Sequence, residues 1–319
     1  MRKLFIGMLW LLTAMPLVAT ERGVALKRDF GTLYGTLRTP EAGSEVAALF
    51  ITGSGPMDRD NNSRRSGIYT NTYLFLAQEL ERQGIASLRY DKRGIEASRY
   101  DDRQKMSEVV FDDFVGDAAA LVSYLKAQSF KRIVLVGHSE GSLIALCVAA
   151  TSPDVSGVIS LAGAGFPVDE IIQIQLAGQL VTNDMGLLMR ATAVINALRQ
   201  GRTVEDYPRE LATLFQPYLQ RFWISEMKYK PQEVIRRVTA PILIVNGDND
   251  IQISVANAKA LKEASPKSEL LVIEGMTHTL RQSTGRDAAG QLDAYLNPDL
   301  PLDPTLAVAI PRFIHALKL

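Results

Sequence analysis

Of the 319 residues, 47% are hydrophobic and 22% charged, enough apolar material for one large core with insertions. Lys+Arg and Asp+Glu stand at 35 each, so a zero formal net charge argues against nucleic acid or an anionic membrane surface as partner. Cys147 is the sole cysteine and forms no intramolecular disulfide; His138, His278 and His315 show no clustered ligand spacing, which disfavours a structural zinc.

In chain order, Arg2 and Lys3 precede the apolar run Leu4 to Leu12, and small residues follow near Val18-Ala19-Thr20. This is the layout of a signal peptide over residues 1–20, and it predicts a periplasmic or secreted protein. The run is short of the roughly 20 apolar residues a bilayer needs and Pro16 follows it, so no stable membrane span is expected after cleavage. No cysteine is placed there for a lipid anchor. Residues 24–37, divided at Gly31, predict an antiparallel edge hairpin. Strand and helix then alternate: strand 46–52, helix 72–83, strand 85–90, helix 111–127, strand 132–136, helix 141–150 and strand 155–161. Residues 164–236 carry helical spacing without strand signals, in stretches near 171–180, 185–198 and 211–227. Strand 241–246, helix 255–263 and strand 270–274 complete the pattern. Such alternation implies a mostly parallel central sheet covered by helices on both faces. The expected organisation is a core of residues 21–163 and 237–319 with a helical cap at 164–236.

Between strand 132–136 and helix 141–150 lies Gly137-His138-Ser139-Glu140-Gly141. A G-x-S-x-G run in a strand–turn–helix setting exposes one strained serine, with glycines where neighbouring segments leave no room for side chains. The residues Gly53-Ser54-Gly55-Pro56-Met57-Asp58-Arg59-Asp60 and Arg89-Tyr90-Asp91-Lys92-Arg93-Gly94 supply two further motifs.

With the elbow, these segments make the chain resemble the α/β-hydrolase superfamily, closest to its branch of exported bacterial esterases and S33 serine-aminopeptidase-like proteins. The resemblance spans most of residues 24–319. It implies an α/β-hydrolase fold with a helical cap insertion. One departure is Glu96, where relatives often carry a second glycine after the Arg-Gly pair.

A serine hydroxyl is nearly inert at neutral pH and needs a base, which in turn needs an acid to orient it. His278 follows the last predicted strand and is the expected base; His138, inside the elbow, and His315, in a C-terminal helix, are poor substitutes. In Gly247-Asp248-Asn249-Asp250 two aspartates compete, and the spacing usual in such hydrolases selects Asp250, leaving Asp248 to brace the loop. The expected oxyanion donors are the backbone N–H of Glu140 and that of Ser54, with Gly55 next. Asp58, Arg59, Asp60, Asp91 and Arg93 either bind polar substrate groups or brace one another, and bracing is the commoner use of such loop pairs.

The sequence therefore predicts a serine hydrolase that cleaves carboxylic esters of a small-molecule acyl substrate without a cofactor or metal. Peptidase, thioesterase or acyltransferase chemistry would use the same triad. A noncatalytic exported binding protein on the same scaffold is the alternative of a different class. Substrate identity and oligomeric state are not legible.

Overall fold

The computed structural model describes residues 20–317. The expected signal peptide therefore falls, apart from Thr20, outside the described residues; Thr20 opens the first strand.

Eight strands form one sheet: β1 (Thr20–Lys27), β2 (Thr32–Thr39), β3 (Val46–Ile51), β4 (Ala86–Tyr90), β5 (Arg132–His138), β6 (Val155–Leu161), β7 (Ile242–Gly247) and β8 (Glu269–Ile273). Their order is β1-β2-β4-β3-β5-β6-β7-β8. The pairs β1/β2 and β2/β4 are antiparallel, and every other pair is parallel. The expected edge hairpin is thus present, with Thr20 opposite Thr39 and Lys27 opposite Thr32. The inner strands read as continuous apolar runs because both faces are covered; all six residues of β3 are buried.

The helices are α1 (Thr72–Arg82), α2 (Phe111–Ala127), α3 (Glu140–Ala149), α4 (Val168–Leu180), α5 (Met185–Arg199), α6 (Ala212–Phe215), α7 (Pro217–Glu226), α8 (Pro231–Ile235), α9 (Val255–Ala264), α10 (Leu292–Leu296) and α11 (Pro304–Ala316). Two apolar layers sandwich the sheet. One joins α2, α3 and α9 to Leu49, Leu135 and Ile244; the other joins α1 and α11 to Phe50, Val136 and Val245. This is the mostly parallel, doubly covered sheet that the strand–helix alternation predicts, and it agrees with the α/β-hydrolase fold that the resemblance implies.

Between β6 and β7 the chain forms α4 to α8. One sequence expectation fails here. The helical stretch at 211–227 is interrupted: Gln216 adopts φ −54°, ψ 145° between α6 and α7. The cause is Pro217, whose ring excludes the preceding residue from the helical region while itself starting α7. Among the described residues, no helix is long and apolar enough to cross a membrane.

Candidate active site

The parallel strands all point their carboxyl ends to one edge of the sheet, where an α/β fold gathers its functional loops. β5 is central and ends on the elbow. Ser139 turns there with φ 54° and ψ −123°, a conformation that costs an L-residue energy and persists only where the surroundings enforce it. The two flanking glycines permit it. A Cβ on Gly137 would overlap the carbonyl of Gly141, and one on Gly141 would overlap the carbonyl of Ile51. The turn leaves Ser139 half-buried while Glu140 and all of α3 behind it are buried.

The loops after β7 and β8 bring Asp250 and His278 together. His278 Nδ1 lies 2.8 Å from Asp250 Oδ2 in a buried pair. The other carboxylate oxygen, Oδ1, accepts the backbone N–H groups of Gln252 and Ile253, each at 2.8 Å. With both oxygens engaged, the carboxylate has one orientation. That orientation fixes the proton of the imidazole on Nδ1 and leaves Nε2 free to accept. Asp248 does not reach the histidine; its Oδ1 accepts the N–H of Gly275 at 2.7 Å and ties the β7 loop to the end of β8.

His138 connects the elbow to His278. Its Nε2 is 2.8 Å from the carbonyl oxygen of His278, and the two rings stand 4.7 Å apart. A carbonyl only accepts, so Nε2 of His138 carries the proton and Nδ1 is a lone pair, buried without a partner. Burial, aided by repulsion from His278, pushes His138 down to about 3 and keeps it neutral. Ser139 Oγ makes no hydrogen bond to His278; His138, beside Ser139 in the chain, is the contact between elbow and base loop. The sequence marks His138 as an unsuitable base but gives no sign that it braces one. His315 lies exposed on α11.

On the opposite side of the elbow, the loop after β3 approaches the serine. A Cβ on Gly53 would come 3.0 Å from the Ser139 Cβ, so the main chain at 53–54 lies against this serine. Ser54 and Gly55 are exposed. The N–H of Ser54 donates to no other group among the described residues.

The chain matches the family model described as serine aminopeptidase, S33, over residues 65–283. It belongs to the S33 serine aminopeptidase family. The fold agrees with solved α/β-hydrolases of low sequence identity. Est1E from Butyrivibrio proteoclasticus, in a structure with ferulic acid bound, superposes with a TM-score of 0.60 at 18% identity, covering 92% of this chain and 98% of that one. The Pyrococcus furiosus esterase PF2001 gives 0.58 at 15% identity, covering 98% and 96%. A hydrolase from Penicillium sp. sh18, GrgF, gives 0.57 at 19%, covering 81% and 91%. No curated protein matches this S33 family member.

The loop charges of this S33 protein brace one another. Arg59 holds Asp91 at 2.6 Å and also reaches Thr36, while Asp58 accepts the N–H groups of Asp60 and Asn62 at 2.9 Å each. Asp60 pairs with Arg89. Arg93 grips Asp117 at 2.7 Å, and Arg28 meets the same carboxylate at 2.9 Å. Glu96, the departure from glycine, takes φ 41°, a value glycine adopts without strain. Cys147 is buried in α3, and burial pushes its thiol up to about 12. Among the described residues, no group of three or more His, Cys, Asp or Glu side chains is arranged to hold a metal ion.

Proposed function

We propose that this protein is a serine hydrolase that cleaves carboxylic esters through an acyl-enzyme on Ser139, with residues 164–236 acting as a cap over the site. The observation that carries this reading is the Asp250–His278 pair, 2.8 Å apart and buried at the sheet edge that also bears the strained Ser139. In this mechanism His278 Nε2 accepts the Ser139 proton as Oγ attacks the acyl carbonyl. The oxygen, now negative, is held by the N–H groups of Ser54 and Glu140. Collapse expels the alcohol, which takes the proton from His278. Water then attacks the acyl-enzyme with the same histidine as base, releasing the acid and restoring Ser139. Asp250 stays ionised throughout and stabilises the imidazolium.

The test is hydrolysis of a p-nitrophenyl ester series by protein lacking residues 1–20, beside Ser139→Ala. We expect turnover that falls by about 10⁴-fold or more in the variant, with fluorophosphonate labelling of the wild type only. Equal turnover in both would sink the assignment. The family description favours a second reading, release of an amino-terminal residue from a peptide. Aminoacyl arylamides turned over faster than every ester would make that the primary activity. Export rests on Arg2, Lys3 and the apolar run 4–12. Amino-terminal sequencing of the exported protein tests it, and a retained Met1 would refute cleavage.

A further inference from the structure

Three ionisable side chains are buried together behind the elbow, and the mechanism above uses none of them. Lys92, from the loop after β4, and Glu140, the first residue of α3, are each less than a tenth exposed. Glu226 at the end of α7 is buried to the same degree and comes from the insertion. Lys92 Nζ donates to Glu140 Oε1 at 3.1 Å and to the carbonyl oxygen of Gly53 at 2.6 Å, and stands 5.0 Å from the centre of the Phe114 ring. Desolvation, reinforced by the negative charge of Glu140, pushes the carboxyl of Glu226 well above its ordinary range beside the Lys92–Glu140 pair. Its Oε2 is buried without a partner.

An ion pair in this position is costly to bury and stabilises the fold weakly. Its placement points instead to the reaction. The Gly53 carbonyl and the Ser54 N–H belong to one peptide unit, and in a trans peptide they point in opposite directions; none of the described peptide bonds is cis. An ammonium anchoring the carbonyl therefore aims the N–H away from itself. The same ammonium draws electron density toward the carbonyl oxygen and makes the N–H a stronger donor. Through Glu140 it also holds the first residue of α3, whose N–H is the other expected oxyanion donor.

We propose that Lys92 is the positioning residue of the oxyanion hole: through one buried ammonium it orients and polarises the Gly53–Ser54 peptide and fixes it relative to Glu140. The inference rests on the serine-hydrolase reading. Lys92 touches no reacting atom and acts only through the peptide it anchors. Its contribution appears as charge develops on the substrate oxygen and is small in the ground state.

Lys92→Met keeps the stem and removes the charge, but it strands the Glu140 carboxylate. The decisive comparison is therefore Glu140→Gln, which keeps Lys92 on Gly53, with the Lys92→Met/Glu140→Gln double variant, in which no buried carboxylate loses its partner. On a p-nitrophenyl ester, the double variant should lose about ten- to hundredfold in kcat relative to Glu140→Gln, with KM within about threefold. A carbonyl-13C p-nitrophenyl carbamate leaves a slowly hydrolysed carbamoyl group on Ser139. Its infrared carbonyl stretch should move to higher frequency in the double variant, because a weaker donor polarises it less. Equal kcat and equal carbonyl frequency in the two variants would overturn the role of Lys92 while leaving the hydrolase reading intact. A wild type that neither turns over ester nor reacts with fluorophosphonate would remove both.

Discussion

The two sides of the elbow are organised differently. On the acid–base side, Asp250 is held by backbone N–H groups and by His278, and the loop around it is pinned by neutral groups such as Asn249, which donates to the carbonyls of Ser283 and Gly285. On the side of the proposed oxyanion donors, the main chain is held by charges: Lys92 with Glu140, Arg59 with Asp91, Arg93 with Asp117. Backbone donors are fixed by the fold and do not titrate. Buried ion pairs must each keep their partner, since a stranded charge costs about 3–5 kcal/mol. Substitution on the first side should change chemistry with little effect on folding, and on the second it should change both.

The largest effect that tests this contrast is Asp250→Asn. It retains the shape and one acceptor but no longer holds the productive imidazole tautomer, and kcat should fall by about 10³–10⁴-fold with the melting temperature nearly unchanged. A melting temperature lowered by more than about 8 °C would show that the acid side depends on charge after all. Arg93→Met comes next. It removes one of the two cations on Asp117 and leaves Arg28 as the other, and should destabilise by about 2 kcal/mol in urea unfolding while hydrolytic activity per folded molecule stays within about threefold. Loss of activity without loss of stability would place Arg93 in the site.

His138→Phe addresses the link between the two sides. The native ring is held near pH 3, against an ordinary value of 6.5, so the unfolded chain takes up a proton first as the solution is acidified. The stability owed to the neutral ring is complete above pH 6.5 and is lost as pH falls toward 3, at up to about 1.4 kcal/mol per pH unit. The variant should show a flatter fall in stability between pH 6.5 and 4, and a several-fold lower kcat because the His278 carbonyl loses its donor. An unchanged slope would mean that His138 does not titrate with unfolding. Glu96→Gly is the smallest. Relief of the φ 41° strain, offset by the entropy of glycine, should leave stability level or raised by up to about 1 kcal/mol in a thermal melt. A clear loss would show that the Glu96 side chain contributes contacts of its own.

What the sequence discloses follows from the range of each signal. The strands and the elbow depend on local runs and on glycines that neighbouring main chain crowds, so their residues announce them. Asp250 and His278 are legible as candidates because each follows a strand whose end is known. Lys92, Glu140 and Glu226 are not, because nothing local to residues 92, 140 or 226 indicates that one loop and two helix ends meet behind the serine. The brace from His138 is hidden for the same reason: it joins residues 140 positions apart. The break at Gln216 is legible in Pro217, although the apolar spacing across 211–227 by itself predicts an unbroken helix.

Cys147 carries a practical consequence. A thiol pushed up to about 12 by burial inside α3 carries almost no thiolate at neutral pH, and maleimides should fail to label it in the folded protein. The chain therefore offers a silent background for thiol chemistry. A cysteine introduced at exposed Met189 on α5 would be the one site that takes a spectroscopic label, so movement of the insertion against the sheet can be followed without removing the native cysteine.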